Sequence, residues 1–196
     1  VLEFGQISLA DYLKKGALQR NERKFVIDRL AHIVQHMHSH NVVHCDIKPH
    51  NFVLFGLKWK VIDLESARRA GEPVSMKISP SYCSPELARA VLGKQADRMR
   101  AACTLDMWSF GLVFFELFAR QPYFADKPDT MQQLASYAEL EVPKDIVDDI
   151  QARHVLKKLL VKHHVERANV QAVLKHAYLC GGMDTIQKAS SFGYLQ

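Results

Sequence analysis

The stretch His44-Cys45-Asp46-Ile47-Lys48-Pro49-His50-Asn51 gathers a carboxylate, an ammonium and a carboxamide, and a second carboxylate, Asp63, follows in the next segment. This set suits phosphoryl transfer. A carboxylate orients an attacking hydroxyl and takes its proton, a cation neutralises the moving charge, and oxygen donors hold a divalent metal against phosphate. Asp46 would be the base, Lys48 the cation, and Asn51 and Asp63 the oxygen donors. Taken singly, each has a plainer reading: Asp46 as a turn former, Lys48-Pro49 as a turn, Asn51 as a surface residue. Their recurrence as a set favours the chemical reading.

For these residues to meet, the chain between them must double back. Phe52-Val53-Leu54 and Trp59 to Ile62 are short β-branched and aromatic runs separated by a turn with Gly56, which predicts a β-hairpin. Ahead of it, apolar residues at 26, 30, 33, 34 and 37 share one face of a helix over 22–40, and Val42-Val43 reads as a short extended piece. Ser8 to Asp11 has capping-box spacing that opens an earlier short helix. Residues 63–86 look irregular, broken by Gly71, Pro73, Pro80 and Pro85. Helices are predicted beyond them at 86–92, 103–120, 130–140, 145–161 and 169–178, with a capping box from Thr130 to Gln133. The fold class is α+β, predominantly helical, with one small hairpin region at the site.

Composition narrows the function. With 196 residues and 48% apolar content the chain can bury one sizeable core. The net charge of +5 is scattered over Arg68, Arg69, Arg98, Arg100, Lys157, Lys158 and Lys162, which is a solvated basic surface rather than a nucleic-acid groove. Four cysteines without CxxC spacing read as reduced thiols, hence an intracellular, cytoplasmic setting. The most apolar run, 107–119, is shorter than the ~20 residues a membrane span needs, and predicts a helix buried on nearly every side. Phe110, Phe114, Phe115 and Phe118 belong to the core. His32, His36 and His40 share a helical face, but no nearby cysteine or carboxylate completes a ligand set, so a metal site is not expected there.

The motifs carry a resemblance to the serine/threonine branch of the eukaryotic protein kinases. Residues 44–51 resemble the catalytic loop H-R-D-x-x-x-x-N, with Lys48-Pro49 in the serine/threonine form, and Asp63 resembles the aspartate of D-F-G. Ser84-Pro85-Glu86 is similar to A-P-E, and Ser79-Pro80-Ser81-Tyr82 to the substrate-facing T-P-x-Y. Asp106-Met107-Trp108-Ser109-Phe110-Gly111 is similar to the motif that opens the central helix.

The resemblance implies ATP and Mg²⁺, a protein substrate with Ser or Thr, and roles for individual residues. Asp46, Lys48, Asn51 and Asp63 would be catalytic, with Asn51 and Asp63 on the metal. Glu3, Phe4 and Gly5 would form the adenine-binding hinge, with Val53 beneath the adenine. Ser79 would align Asp46 and Lys48, while His44, Glu86, Asp106 and Arg167 would be supports. It also implies boundaries: hinge 1–6, catalytic loop 44–51, activation segment 63–86, helical remainder 87–178 and tail 179–196. The chain opens at Val1 in an apolar stretch and carries no Gly-rich phosphate loop, so it is expected to be a C-terminal lobe whose N-lobe partner is missing.

Besides that missing lobe, three positions depart from the pattern. Cys45 replaces the arginine that receives an activation-loop phosphate, so a phosphate on Ser75 would find no partner there. Leu64 replaces the phenylalanine of D-F-G, and Glu65 replaces its glycine. Glutamate there would either keep the loop in an ordinary conformation or accept strain, and it brings a charge close to the metal loop. An enzyme is the favoured reading; the alternative is a pseudokinase, an interaction module of the same shape.

Overall fold

The computed structural model describes residues 6–74, 77–124, 128–136 and 140–181. Along the chain come β1 (Ile7–Ser8), α1 (Leu9–Lys14), α2 (Arg20–Ser39), β2 (Val42–Val43), β3 (Phe52–Phe55), β4 (Lys58–Val61) and β5 (Arg68–Arg69). The helices α3 (Pro85–Leu92), α4 (Cys103–Ala119), α5 (Thr130–Ser136), α6 (Ile150–Leu159), α7 (Val170–Leu174) and α8 (Ala177–Cys180) follow. Glu3, Phe4, Gly5 and Ser75 lie outside the described residues, as do 137–139 of the helix predicted at 130–140 and 182–196 of the tail.

The predicted hairpin is present: β3 and β4 pair antiparallel from Phe52↔Val61 to Phe55↔Lys58. Gly56 turns it at φ +59°, a left-handed value glycine adopts without a Cβ clash. Two strands carry no sequence periodicity because each has only two residues. β1 adds to the hairpin through Ile7↔Leu54 and Ser8↔Val53. β5 pairs with β2 through Val43↔Arg68, which draws the segment after Asp63 back against the one before His44.

Helix ends follow their caps. Ser8 Oγ accepts the Asp11 N–H at 3.1 Å and starts α1. α6 begins at Ile150, later than the predicted 145, because the Asp149 carboxylate caps it by accepting the N–H groups of Gln151 and Ala152. The helix predicted at 169–178 is two: His176 is extended, and its Nδ1 accepts the Tyr178 N–H to start α8. At α5 the Gln133 side chain donates to Asp129 at 2.7 Å, so the expected partner, Thr130, is displaced by one residue.

Helix α4 is buried at every position from Leu105 to Leu117, which explains why its sequence is apolar on nearly every side, with Asp106, Ser109 and Glu116 as buried polar exceptions. Gly111 admits α6: a Cβ there would lie 2.8 Å from Leu160 Cδ2 and 3.0 Å from Leu159 Cβ. The amphipathic α2 buries Val26, Ile27, Leu30, Ala31 and Val34 on the same core. Against this rigid base the hairpin and its flanking loops are held.

Candidate active site

The loop 44–51 is anchored from beneath by Asp106. Its carboxylate accepts the N–H of His44 at 2.8 Å and of Cys45 at 2.9 Å, and bonds His38 Nε2 at 2.9 Å. Cys45 sits at φ +63°, outside the usual range for a residue with a Cβ. That backbone turn leaves two successive N–H groups facing one carboxylate, which satisfies both.

His44 then joins the two site loops. Its Nδ1 accepts the Asp46 N–H at 3.3 Å, which fixes Nε2 as the protonated atom, and Nε2 donates to the Ile62 carbonyl at 3.1 Å. The next residue is Asp63. The Ile62 N–H is in turn bonded to the Asn51 carbonyl at 2.9 Å, so the hairpin ends bring Asn51 and Asp63 to one edge.

Asp46 is buried, and its carboxylate accepts from Lys48 Nζ at 2.7 Å. Lys48 Nζ also donates to Ser79 Oγ at 2.9 Å, so Ser79 reaches Asp46 through the lysine rather than directly. Asn51 Nδ2 donates to the Asp46 carbonyl at 2.9 Å and to its Oδ2 at 3.3 Å. With the amide nitrogen committed, Asn51 Oδ1 is the atom left to accept. Together with the partly exposed Asp63 carboxylate it offers hard oxygen, the donor type that divalent magnesium takes. Val53 is half-buried in β3 beside Ser8.

The supports lie farther out. Arg167 Nη1 and Nη2 donate to the two Glu86 oxygens at 2.8 and 3.1 Å. Ser109 Oγ donates to the Tyr82 carbonyl at 2.8 Å and so ties α4 to the turn after Ser79. Sequence reasoning passed over the contact between Tyr82 and Glu116, whose hydroxyl–carboxylate bond of 2.7 Å is buried; burial raises both groups above their ordinary ranges. A glutamate inside an apolar helix was the available signal.

The structure decides between the two readings of Glu65 and amends the reading of the histidine face. Glu65 is not strained: it lies in the short 3₁₀ turn Leu64–Ser66, and the left-handed residue of the loop is Asp63, at φ +60°. The carboxylate of Glu65 is engaged by Lys77 at 2.6 Å, a contact no local pattern foretold. The histidine face does include a carboxylate, since Asp28 Oδ1 lies 3.5 Å from His32 Nδ1. Even so, no group of three or more His, Cys, Asp or Glu among the described residues is placed to hold a metal. Cys45, Cys83, Cys103 and Cys180 are all free thiols, and burial pushes the Cys45 thiol up to about 12. No helix among the described residues is long and apolar enough to cross a membrane.

With a helical base, an antiparallel hairpin and paired loops at its ends, the sequence also matches the family described as protein kinase domain, over residues 1–179. The chain belongs to the protein kinase family. It is similar to the serine/threonine-protein kinase MPS1 of Encephalitozoon cuniculi, 25% identical over 93% of this chain and 31% of that protein. It is also similar to the dual specificity protein kinase TTK of Mus musculus, 28% identical over 91% of this chain and 22% of that protein. The serine/threonine-protein kinase PLK4 of Nematostella vectensis is 28% identical over 91% of this chain and 18% of that protein. The chain thus spans between 18% and 31% of the length of these relatives.

Proposed function

We propose that this chain is the catalytic-loop lobe of a serine/threonine protein kinase that moves the γ-phosphoryl group of ATP to a protein hydroxyl. One observation carries the reading: a buried carboxylate, Asp46, is held 2.7 Å from the ammonium of Lys48 at the mouth of two joined loops. Asp46 orients the substrate hydroxyl and accepts its proton. Lys48 stabilises charge on the transferring group, and Ser79 keeps its ammonium in place. Asn51 and Asp63 would hold Mg²⁺, which supplies charge neutralisation at the phosphates. Val53 would lie under the adenine.

The 196 residues include no Gly-rich loop over the phosphates, so transfer is expected only when they are joined to a lobe that supplies it. A noncatalytic, kinase-shaped module is the second reading, favoured by Glu65 and by the Lys77 ammonium 4.0 Å from Asp63 Oδ2. In a protein that includes the upstream lobe, Asp46→Asn should abolish transfer to peptide while Mg-ATP binding stays near wild type. A variant that keeps wild-type kcat removes Asp46 from the mechanism. A wild-type protein that neither transfers phosphate nor gains thermal stability from Mg-ATP favours the module.

A further inference from the structure

Two carboxylates, Asp63 and Glu65, share one ammonium. Lys77 Nζ is 2.6 Å from Glu65 Oε2 and 4.0 Å from Asp63 Oδ2, so it is bonded to the first and stands beside the second. The backbone holds this arrangement from both sides. Ser66 Oγ donates to the Lys77 carbonyl at 3.4 Å, and Arg68 Nη1 donates to the Glu65 carbonyl at 3.0 Å. Two residues past Lys77, Ser79 holds Lys48 at 2.9 Å. The stretch 77–79 therefore carries both the cation at the metal loop and the hydroxyl that positions the catalytic cation.

An ammonium at this distance from Asp63 repels a divalent cation arriving at the same carboxylate, and the repulsion grows as the distance shrinks. Glu65 draws that ammonium onto itself. We propose that Glu65 and Lys77 together set divalent-cation affinity at Asp63: Lys77 is the resident counter-cation of the metal loop, and Glu65 is the partner that keeps it off Asp63. The inference rests on Asp63 being a metal ligand. It makes Glu65 a positioning residue with a task of its own, rather than a defect at a glycine position. It also couples metal binding to the placement of residues 77–79, and the coupling must act in both directions. Both side chains are more than half exposed, so the pair adds little to stability. Its effect lies in the charge it places near Asp63.

Mn²⁺ is the probe, with the free ion followed by electron paramagnetic resonance during titration of the protein. Lys77→Met should tighten Mn²⁺ binding about two- to fivefold, and Glu65→Gln should weaken it by a similar factor because Lys77 is released onto Asp63. In the Lys77→Met background the effect of Glu65→Gln should shrink. If it grows instead, Glu65 is itself a ligand and the proposed holding role is overturned. Binding that depends on Asp63, shown by its loss in Asp63→Ala, but is unchanged or weaker in Lys77→Met sinks this inference alone. Wild-type binding that survives Asp63→Ala, or no wild-type binding at millimolar Mn²⁺, sinks the metal assignment of Asp63 and this inference with it.

Discussion

Arg167 and Glu86, separated by 81 positions, form a two-pronged ion pair in which the arginine side chain is wholly buried. The guanidinium also donates to the Val161 and Thr104 carbonyls, and it stacks 5.1 Å from the Trp108 ring. The contact pins the end of the segment that carries Ser79 to the helical base.

Removing one partner leaves a buried charge with carbonyls alone. Glu86→Ala should lower stability by about 3–5 kcal/mol, read as a lower urea midpoint. A loss under ~1 kcal/mol would show that water reaches the guanidinium and that the pair behaves as an exposed one.

Gly111→Ala should push α4 from α6, since the added Cβ would meet Leu159 Cβ at 3.0 Å, an atom with no rotamer by which to retreat. A cost of about 1–3 kcal/mol is expected from overpacking, against the few tenths to 1 kcal/mol gained from alanine's better helix propensity. An unchanged or raised Tm would mean that the two helices separate without loss.

Asp106→Ala should remove the acceptor for His44 N–H, Cys45 N–H and His38 together. Each buried donor left unpaired costs about 1–3 kcal/mol. In the two-lobe kinase proposed above, kcat should fall more than nucleotide affinity, because the loop that carries Asp46 loses its anchor. Equal losses in kcat and affinity would place the damage in the whole domain instead.

His176 predicts a pH dependence. Its Nδ1 accepts from Tyr178 N–H, and its other nitrogen meets His154 Nδ1 at 2.8 Å. Burial first, then His154 and Lys158, holds the imidazole below its ordinary value. The folded state therefore favours the neutral ring. Its contribution to stability is full above the unfolded value, about 6.5, and is lost as pH falls below that and through the lower folded value. His176→Asn keeps a capping oxygen that does not titrate. Its Tm should fall less than that of wild type between pH 7.5 and 5. Parallel curves would clear His176 of the effect.

Strong local signals in the sequence were enough for several elements, and they put Asp46, Lys48 and Asn51 in one short loop. The hairpin was legible because β-branched and aromatic runs flank Gly56, and the buried helix α4 because apolar residues fill nearly every face. Asp46, Lys48 and Asn51 were legible because one short loop carries all three. Tertiary structure decided the rest, because the deciding contacts join residues distant in sequence. β1 and β5 are too short to show a period and exist only through their partners. Predicted helix boundaries shifted where a side chain, Asp149 or His176, caught free N–H groups. The expectation for Glu65 turned on geometry as well. Only the folded chain puts the left-handed turn on Asp63 and brings Lys77 from twelve positions away to take up the glutamate.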